Sequence, residues 1–460
     1  MSVPRGIPDT GDKVRNAILS ISLATTSLFL PGAARAQKPA PAPSSPPTKP
    51  TTPADLAKRV EELEAQVARL RLQQPEEGAE EEGEEDTAPA PAPQAAAVSA
   101  NALNPTVTVV GNAFYRHDDR QVLSGGGAPI DNRFNLREAE LDFRAAVDPF
   151  ADGVVIASIE SEVPGEFEAG VEEGYVVIKR LPIPVLDDPP LALQFKVGRF
   201  RPEIGRINVL HLHDLPQMTR PLVVEELFGE EGYVANGASA RVLLPSFDPE
   251  SALELTTQVL TGGGSAVADG PGDSPAVVTN LRWFRNFGGD HAVDLSAIFF
   301  WGRSDPAGDK NAFTYSADFL YKWKPLRRGE FQSFVLGGQV FATRRDFTEP
   351  IDQNGDGEPD AVLEGSASPV GYFAFAQYQA SRNVYLGGRW DDAATIADDS
   401  LRRQAVMGYA TWYTSEFLRF RLGYEHRLSD VEAEDGRDSL FAELNFVFGA
   451  HPPEPFWVNK

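Results

Sequence analysis

The sequence predicts an all-β fold: a transmembrane antiparallel β-barrel of about sixteen strands, preceded by a short helical or coiled-coil extension. Three observations predict it. From 106 to 448, stretches of about ten residues alternate strictly between apolar and polar side chains. Beyond the start of the chain, no stretch reaches the roughly 20 consecutive apolar residues that a membrane helix needs. Aromatic residues close several apolar faces at their ends, where amphipathic rings sit at the two membrane interfaces.

The chain opens with Lys13 and Arg15 before a mostly apolar, uncharged run over 17–30, and Ala34-Arg35-Ala36 supplies small residues at a cleavage site. Residues 1–36 are therefore expected to be a secretory signal, removed before Gln37. With no Cys in the chain there is neither a lipidated N-terminal cysteine nor a disulfide framework. Seven prolines mark 37–54 as an extended linker. Leu56, Val60, Leu63, Val67 and Leu70 then recur at spacings of four and three, which predicts a short coiled coil over 55–72 and association of several chains through it. A lone amphipathic helix at the barrel mouth is the other reading of that seam. The acidic and Pro/Ala segment 73–105 offers almost nothing apolar to bury and is expected to be disordered.

The strand candidates fill 106–460. In one, Ala139, Leu141, Phe143, Ala145 and Val147 oppose Glu138, Glu140, Asp142 and Arg144. In another, Phe313, Tyr315, Ala317, Phe319, Tyr321 and Trp323 oppose Thr314, Ser316, Asp318 and Lys322. One face suits lipid and the other a wet lumen, whereas a soluble sandwich core would not accept so many charges. Further candidates are 384–390, 404–414 and 417–427. Short turns such as Asp148-Pro149, Phe287-Gly288-Gly289-Asp290 and Ser415-Glu416 alternate with long acidic or glycine-rich connections.

The formal net charge of −25 argues against nucleic acid as a partner. Acidic residues concentrate in three expected loops, 346–364, 391–399 and 430–438. The alternation fails over 201–232, where Pro202, Pro216 and Pro221 interrupt any strand, and this segment is expected to fold into the lumen and narrow it. Its charged residues, with Arg199 just before it, are the expected pore constriction: Arg199, Arg201, Glu203, Arg206, Asp214, Arg220, Glu225 and Glu226.

Gly198-Arg199-Phe200-Arg201-Pro202 followed by Ile204-Gly205 resembles the signature of porin O/P-like outer-membrane proteins, the superfamily that includes phosphate-selective porins. The run His211, His213-Asp214-Leu215-Pro216 and Arg220-Pro221, with 229–232 behind it, is similar to a branch of uncharacterised or zinc-regulated outer-membrane proteins. The resemblance implies a barrel of about sixteen strands, an N-terminal helix in the periplasm and trimers. The net acidity departs from a phosphate-attracting surface, so phosphate specificity is not expected.

Two metal candidates stand out. His211 and His213 share a face of an extended segment and, with Asp214 and Glu225 or Glu226, form a zinc candidate; the other reading is hydrogen-bonded packing of a pore loop. Asp352, Asn354, Asp356, Glu358 and Asp360, with Gly357 at the turn, match the first half of a calcium loop, against the reading of a solvated turn-rich loop. No enzyme constellation is present in the sequence, and no cofactor is required. The expected function is a channel in the cell outer membrane for small polar solutes or ions, with lipid and lipopolysaccharide around it; the alternative is a non-conducting barrel that anchors or receives a ligand.

Overall fold

The computed structural model describes residues 105–459, except 124–128, 131, 162, 164, 247, 306, 326–330, 352–360, 433 and 451–454. The expected signal, linker and coiled coil, nearly all of 73–105, and the five calcium-loop residues 352–360 lie outside the described residues. No described helix is long and apolar enough to cross a membrane.

Sixteen strands form the wall. They are β1 (Thr106–Asp118), β2 (Phe134–Asp148), β3 (Ala151–Glu160), β4 (Glu168–Ile178), β5 (Gln194–Phe200), β6 (Ala235–Leu244), β7 (Ser251–Thr261), β8 (Pro275–Phe287), β9 (His291–Arg303), β10 (Asn311–Trp323), β11 (Phe334–Ile351), β12 (Val370–Ser381), β13 (Val384–Ala394), β14 (Arg402–Ser415), β15 (Leu418–Ser429) and β16 (Arg437–Gly449). Each pairs antiparallel with the next, from β1–β2 through β15–β16. The ring closes where β16 pairs with β1. Closure leaves no unpaired edge, which a sheet in hydrocarbon requires. A strand over Ala361–Ala367 extends β11 beyond the ring.

The alternation read in the sequence is the inside-out code of this wall. On β10, Phe313, Tyr315 and Phe319 point outward and are 37–62% exposed, while Thr314, Ser316 and Asp318 point inward and are 1–7% exposed. Outward aromatics ring both ends: Phe313, Tyr372 and Trp390 toward the long loops, Phe287, Tyr378 and Trp412 toward the short turns. An apolar outer belt on a closed barrel is the architecture of outer-membrane proteins.

Two expected loops begin inside the wall. β13 runs on to Ala394, so Asp391 and Asp392 of the expected 391–399 loop are strand residues. Asp391 faces inward at 2.7 Å from Arg389, and Asp392 takes Arg402. Inside a barrel a carboxylate finds an opposite charge, so acidic residues do not by themselves mark a strand's end. β11 likewise carries Asp346 and Glu349 of the expected 346–364 loop.

Five strand pairs show a register shift, and two of these bulges, in β2 and β4, bear on the lumen. Asn112 pairs with Glu138 and Ala113 with Leu136, so Arg137 is the extra residue in β2. Ile156 pairs with Glu173 and Ala157 with Val171, so Glu172 is the extra residue in β4. A bulge lets two successive side chains face one side of a sheet. Here Arg137 with Glu138, and Glu172 with Glu173, are turned into the lumen together.

The 34 residues between β5 and β6 fold into that lumen. They include a 3-10 turn, Leu212–Asp214, and one short helix, α1 (Leu222–Phe228), which packs on β12 to β14. Ile204, Ile207, Leu215, Leu222, Val224, Leu227 and Phe228 form a buried cluster with inward wall residues such as Phe300, Phe341 and Phe373. Each such side chain contributes about 1.5–3 kcal/mol by leaving water. At Gly205, φ is +103°, and a Cβ there would meet the Gln339 amide at 2.3 Å. That contact distance explains the glycine, because Gln339 Nε2 donates to the Ile204 carbonyl at 2.9 Å. From the opposite end, Trp457 and Val458 pack on Tyr385 and Tyr413, and Trp457 Nε1 donates to the Asp214 carbonyl at 2.7 Å.

Candidate functional site

The lumen segment is held between two charged walls. On one side, β13, β15 and β16, joined by Arg137 of the β2 bulge, supply arginines. Arg421 Nη2 lies 2.6 Å from Glu443, Arg419 Nη2 3.1 Å and Arg137 Nη2 3.2 Å from the same carboxylate. Arg389 pairs with Asp391 and Glu425, and Arg427 with Glu425 at 2.7 Å. Other guanidinium hydrogens go to the segment's backbone, while Arg137 Nε and Arg419 Nε are buried without a partner. Arg137 donates to the Met218 carbonyl at 2.8 Å, Arg421 to Leu215 and Gln217, Arg419 to His213 and Arg389 to Thr219. Gly423 on β15 leaves the hole that Met218 fills, since a Cβ there would lie 1.8 Å from Met218 Cε.

The neighbouring wall, β2 to β4, reached across β1, is acidic. His211 Nε2 lies 2.9 Å from Glu173, and its Nδ1 is 2.8 Å from Glu172 and 3.1 Å from Glu140. His213 Nδ1 is 3.2 Å from Glu138 and 3.7 Å from Glu140. Arg201, 3% exposed, completes the group at 2.6 Å from Glu172. Burial opposes charge on His211, but Glu140 and Glu172 outweigh it and hold its pKa well above the usual imidazole value. For His213, burial is likewise outweighed by Glu138, Asp214 and Glu140, and the pKa is pushed up to about 9.

The expected constriction residues fall into three groups. Arg201 and Arg220 are buried. Arg220 donates to the carbonyls of Ile207, Leu210, Glu230 and Glu231 at 2.7–2.9 Å, so it staples the segment to itself. Arg206 bonds Asp318 of β10 at 2.7 Å and approaches Asp294 of β9 at 3.5 Å, tying the segment to the far wall. Glu225 and Glu226 pair with Arg427 and Arg403, and Glu226 also accepts from the Ile396 amide at 2.6 Å. Arg199 donates to the Val171 carbonyl at 3.0 Å on the neighbouring strand, Glu203 accepts from Asn280 through its carbonyl at 3.2 Å, and Asp214 is one-third exposed. Of the expected zinc partners, only Asp214 comes near the histidines, at 3.7 Å from His213. The carboxylates gathered about His211 are instead those of the wall.

Those wall carboxylates were visible in the sequence only as charges on a strand. Glu138 and Glu140 kept the alternation and read as a wet lumen surface. Glu172-Glu173 broke it, and two successive acids inside a strand are the signal of the bulge.

At the turn end the inner face is open to water. Arg144, Arg241 and Arg282 point inward with side chains 44–46% exposed, whereas their partners Asp142, Glu254 and Asp294 are 6–11% exposed. The water-facing charge in this mouth is therefore positive.

No family profile matches the chain. A 112-residue stretch is 36% identical to an uncharacterized protein of Aquifex aeolicus (strain VF5), covering 24% of this chain and 21% of that one, so the match spans about a fifth of the relative's length. Among solved structures the chain is similar to an anion-selective porin from Comamonas acidovorans, at 10% identity and TM-score 0.48, over 75% of this chain and 99% of that one. It is also similar to the outer-membrane protein OmpT of Vibrio cholerae in its loop-L8 deletion form (10%, TM-score 0.45, 75% and 99%). A third is the outer-membrane channel DcaP of Acinetobacter baumannii (10%, TM-score 0.42, 75% and 96%).

Proposed function

We propose that this barrel is a narrow outer-membrane channel for small polar solutes, constricted at mid-height by the segment 201–234, and that it is not an enzyme. The observation that carries the reading is the inward row Arg144, Arg241 and Arg282. Charges that face into a barrel and remain nearly half exposed need a water-filled vestibule, which an anchor has no use for. The vestibule leads to Glu203 and Arg206, and the partly exposed Glu225, Arg403 and Glu434 lie toward the long-loop end. Charges of both signs along this path favour zwitterionic or neutral polar solutes over phosphate. Association into trimers, the periplasmic position of the N-terminal extension and calcium at 352–360 belong to the same reading.

A specific observation favours the rival, a non-conducting barrel that anchors or receives a ligand. The segment and the tail residues 456–459 fill much of the lumen with a packed apolar core. Swelling of reconstituted vesicles in solutes of graded size separates the two. Swelling in pentoses and amino acids but not in oligosaccharides is expected; no swelling in any solute supports the rival.

A further inference from the structure

The geometry points to a divalent transition-metal site inside the barrel, formed by His211 Nδ1 with the carboxylates of Glu140, Glu172 and Glu138, which ties the lumen segment to β2 and β4. One donor atom from each of these four buried residues lies within 4.8 Å of the others.

Two of the atoms facing this point have no hydrogen-bond partner. Glu140 Oε2 and His211 Nδ1, 3.1 Å apart, are both buried without one, and Glu140 is only 3% exposed, while Glu172 presents Oε2, which also takes Arg201 at 2.6 Å. His211 Nδ1 is close to two carboxylate oxygens, at 2.8 and 3.1 Å, yet makes no well-directed bond to either. Unmade bonds at buried polar atoms are costly, and two of them converging on one spot call for a shared ligand. Metal–oxygen and metal–nitrogen bonds of about 2.0–2.2 Å put neighbouring tetrahedral ligands roughly 3.3 Å apart, close to the spacing seen here.

The surroundings fit a metal in two further ways. Glu173 sits 2.9 Å from His211 Nε2 and accepts its N–H, so a metal that displaces the Nδ1 proton would meet the ring lone pair on the side of Glu140 and Glu172. A carboxylate behind a ligating imidazole is the usual support of a metal-bound histidine. The cluster is also rich in acid: Glu138, Glu140, Glu172 and Glu173 face Arg201 and the two histidines. One imidazole with three carboxylates suits zinc or manganese, whereas calcium prefers an all-oxygen shell of six to eight ligands. The β4 bulge makes the site, because it turns Glu172 inward to ligate while Glu173 orients the ring.

The test uses the full chain in detergent, stripped with EDTA and titrated with Zn2+, with bound metal counted after gel filtration and affinity read by competition with a chromophoric chelator. We expect one tightly held Zn2+ per chain that a hundredfold excess of Ca2+ does not displace, and X-ray absorption showing one imidazole among oxygen ligands. Glu140→Gln and His211→Gln each weaken binding by more than about 100-fold, and Glu173→Gln by about 10–100-fold. Glu140→Gln preserves side-chain size, and the shift in gel migration on boiling verifies that every variant is still a barrel. Zinc lost on gel filtration, zinc bound equally by parent and variants, displacement by Ca2+, or an absorption signature without imidazole overturns the site.

Discussion

The two charged walls grip the same segment, but they solve opposite problems. On the β13–β16 side, five arginines (Arg389, Arg419, Arg421, Arg427 and Arg137 of β2) face four carboxylates, Asp391, Glu425, Glu443 and the segment's Glu225. The surplus is positive, and the segment satisfies it with backbone carbonyls at Leu215, Gln217, Met218 and Thr219, acceptors that any chain carries in quantity. On the β2–β4 side the surplus is negative. Carboxylates need donors or cations, and the segment brings only Arg201, His211 and His213. Backbone carbonyls absorb most of the excess guanidinium, leaving Arg137 Nε and Arg419 Nε without partners; the carboxylate side leaves Glu140 Oε2 and Glu172 Oε1. The comparison therefore predicts that removing a charge is severe on one wall and mild on the other.

The largest effect is expected at Glu443, which serves three arginines with a fully buried side chain. Glu443→Gln leaves uncompensated buried cations and should cost about 3–5 kcal/mol. The check is the urea midpoint in detergent, and a midpoint equal to the parent's would show that the arginine wall is not a balanced network. Next is Arg220, whose four carbonyl contacts close the segment on itself. Arg220→Ala should cost at least about 3 kcal/mol of local stability and expose 206–221 to protease, while the barrel keeps its shift in migration on boiling. Resistance to protease equal to that of the parent would deny Arg220 this role.

The carboxylate wall should respond with the opposite sign. In chelator, Glu140→Gln removes one of several crowded negative charges and should leave the urea midpoint unchanged or raise it by the equivalent of about 1 kcal/mol. A loss as large as that of Glu443→Gln would mean the two walls do not differ. The smallest effect on stability belongs to Arg144→Ala, Arg241→Ala and Arg282→Ala combined, since these pairs are half in water and each is worth less than about 1 kcal/mol. Their removal should instead reduce the entry of anions from the turn end, read as a shifted reversal potential in a salt gradient. That shift should shrink as salt is raised, because screening confines exposed charge to about 8–10 Å at physiological ionic strength. A potential that stays put would place the vestibule off the conducting path.

The wall was legible in the sequence because a period of two encodes it directly. In β10 every second residue from Phe313 faces lipid, and in β16 Leu440 and Phe448 face out while Glu443 and Asn445 face in. The lumen segment was legible as the place where that period fails. What it touches was not, because His211 meets Glu140 and Glu172 across long sequence separations fixed by barrel closure and two bulges. Arg220 illustrates the same limit: sequence offers a charge for a pore, whereas the fold surrounds it with carbonyls. Acidity at Asp391 misled for a related reason, since an inward carboxylate beside Arg389 looks in sequence like the start of a solvated loop.

In the proposed channel the 201–234 segment sets the width of a conducting lumen. Single-channel recording in a planar bilayer, comparing the intact protein with a variant in which 206–221 is replaced by a short Gly/Ser linker, tests it most directly. A small but definite conductance in the intact protein, with a clearly larger one in the shortened variant, is the predicted result. Equal conductance in the two, or none in either, would contradict it.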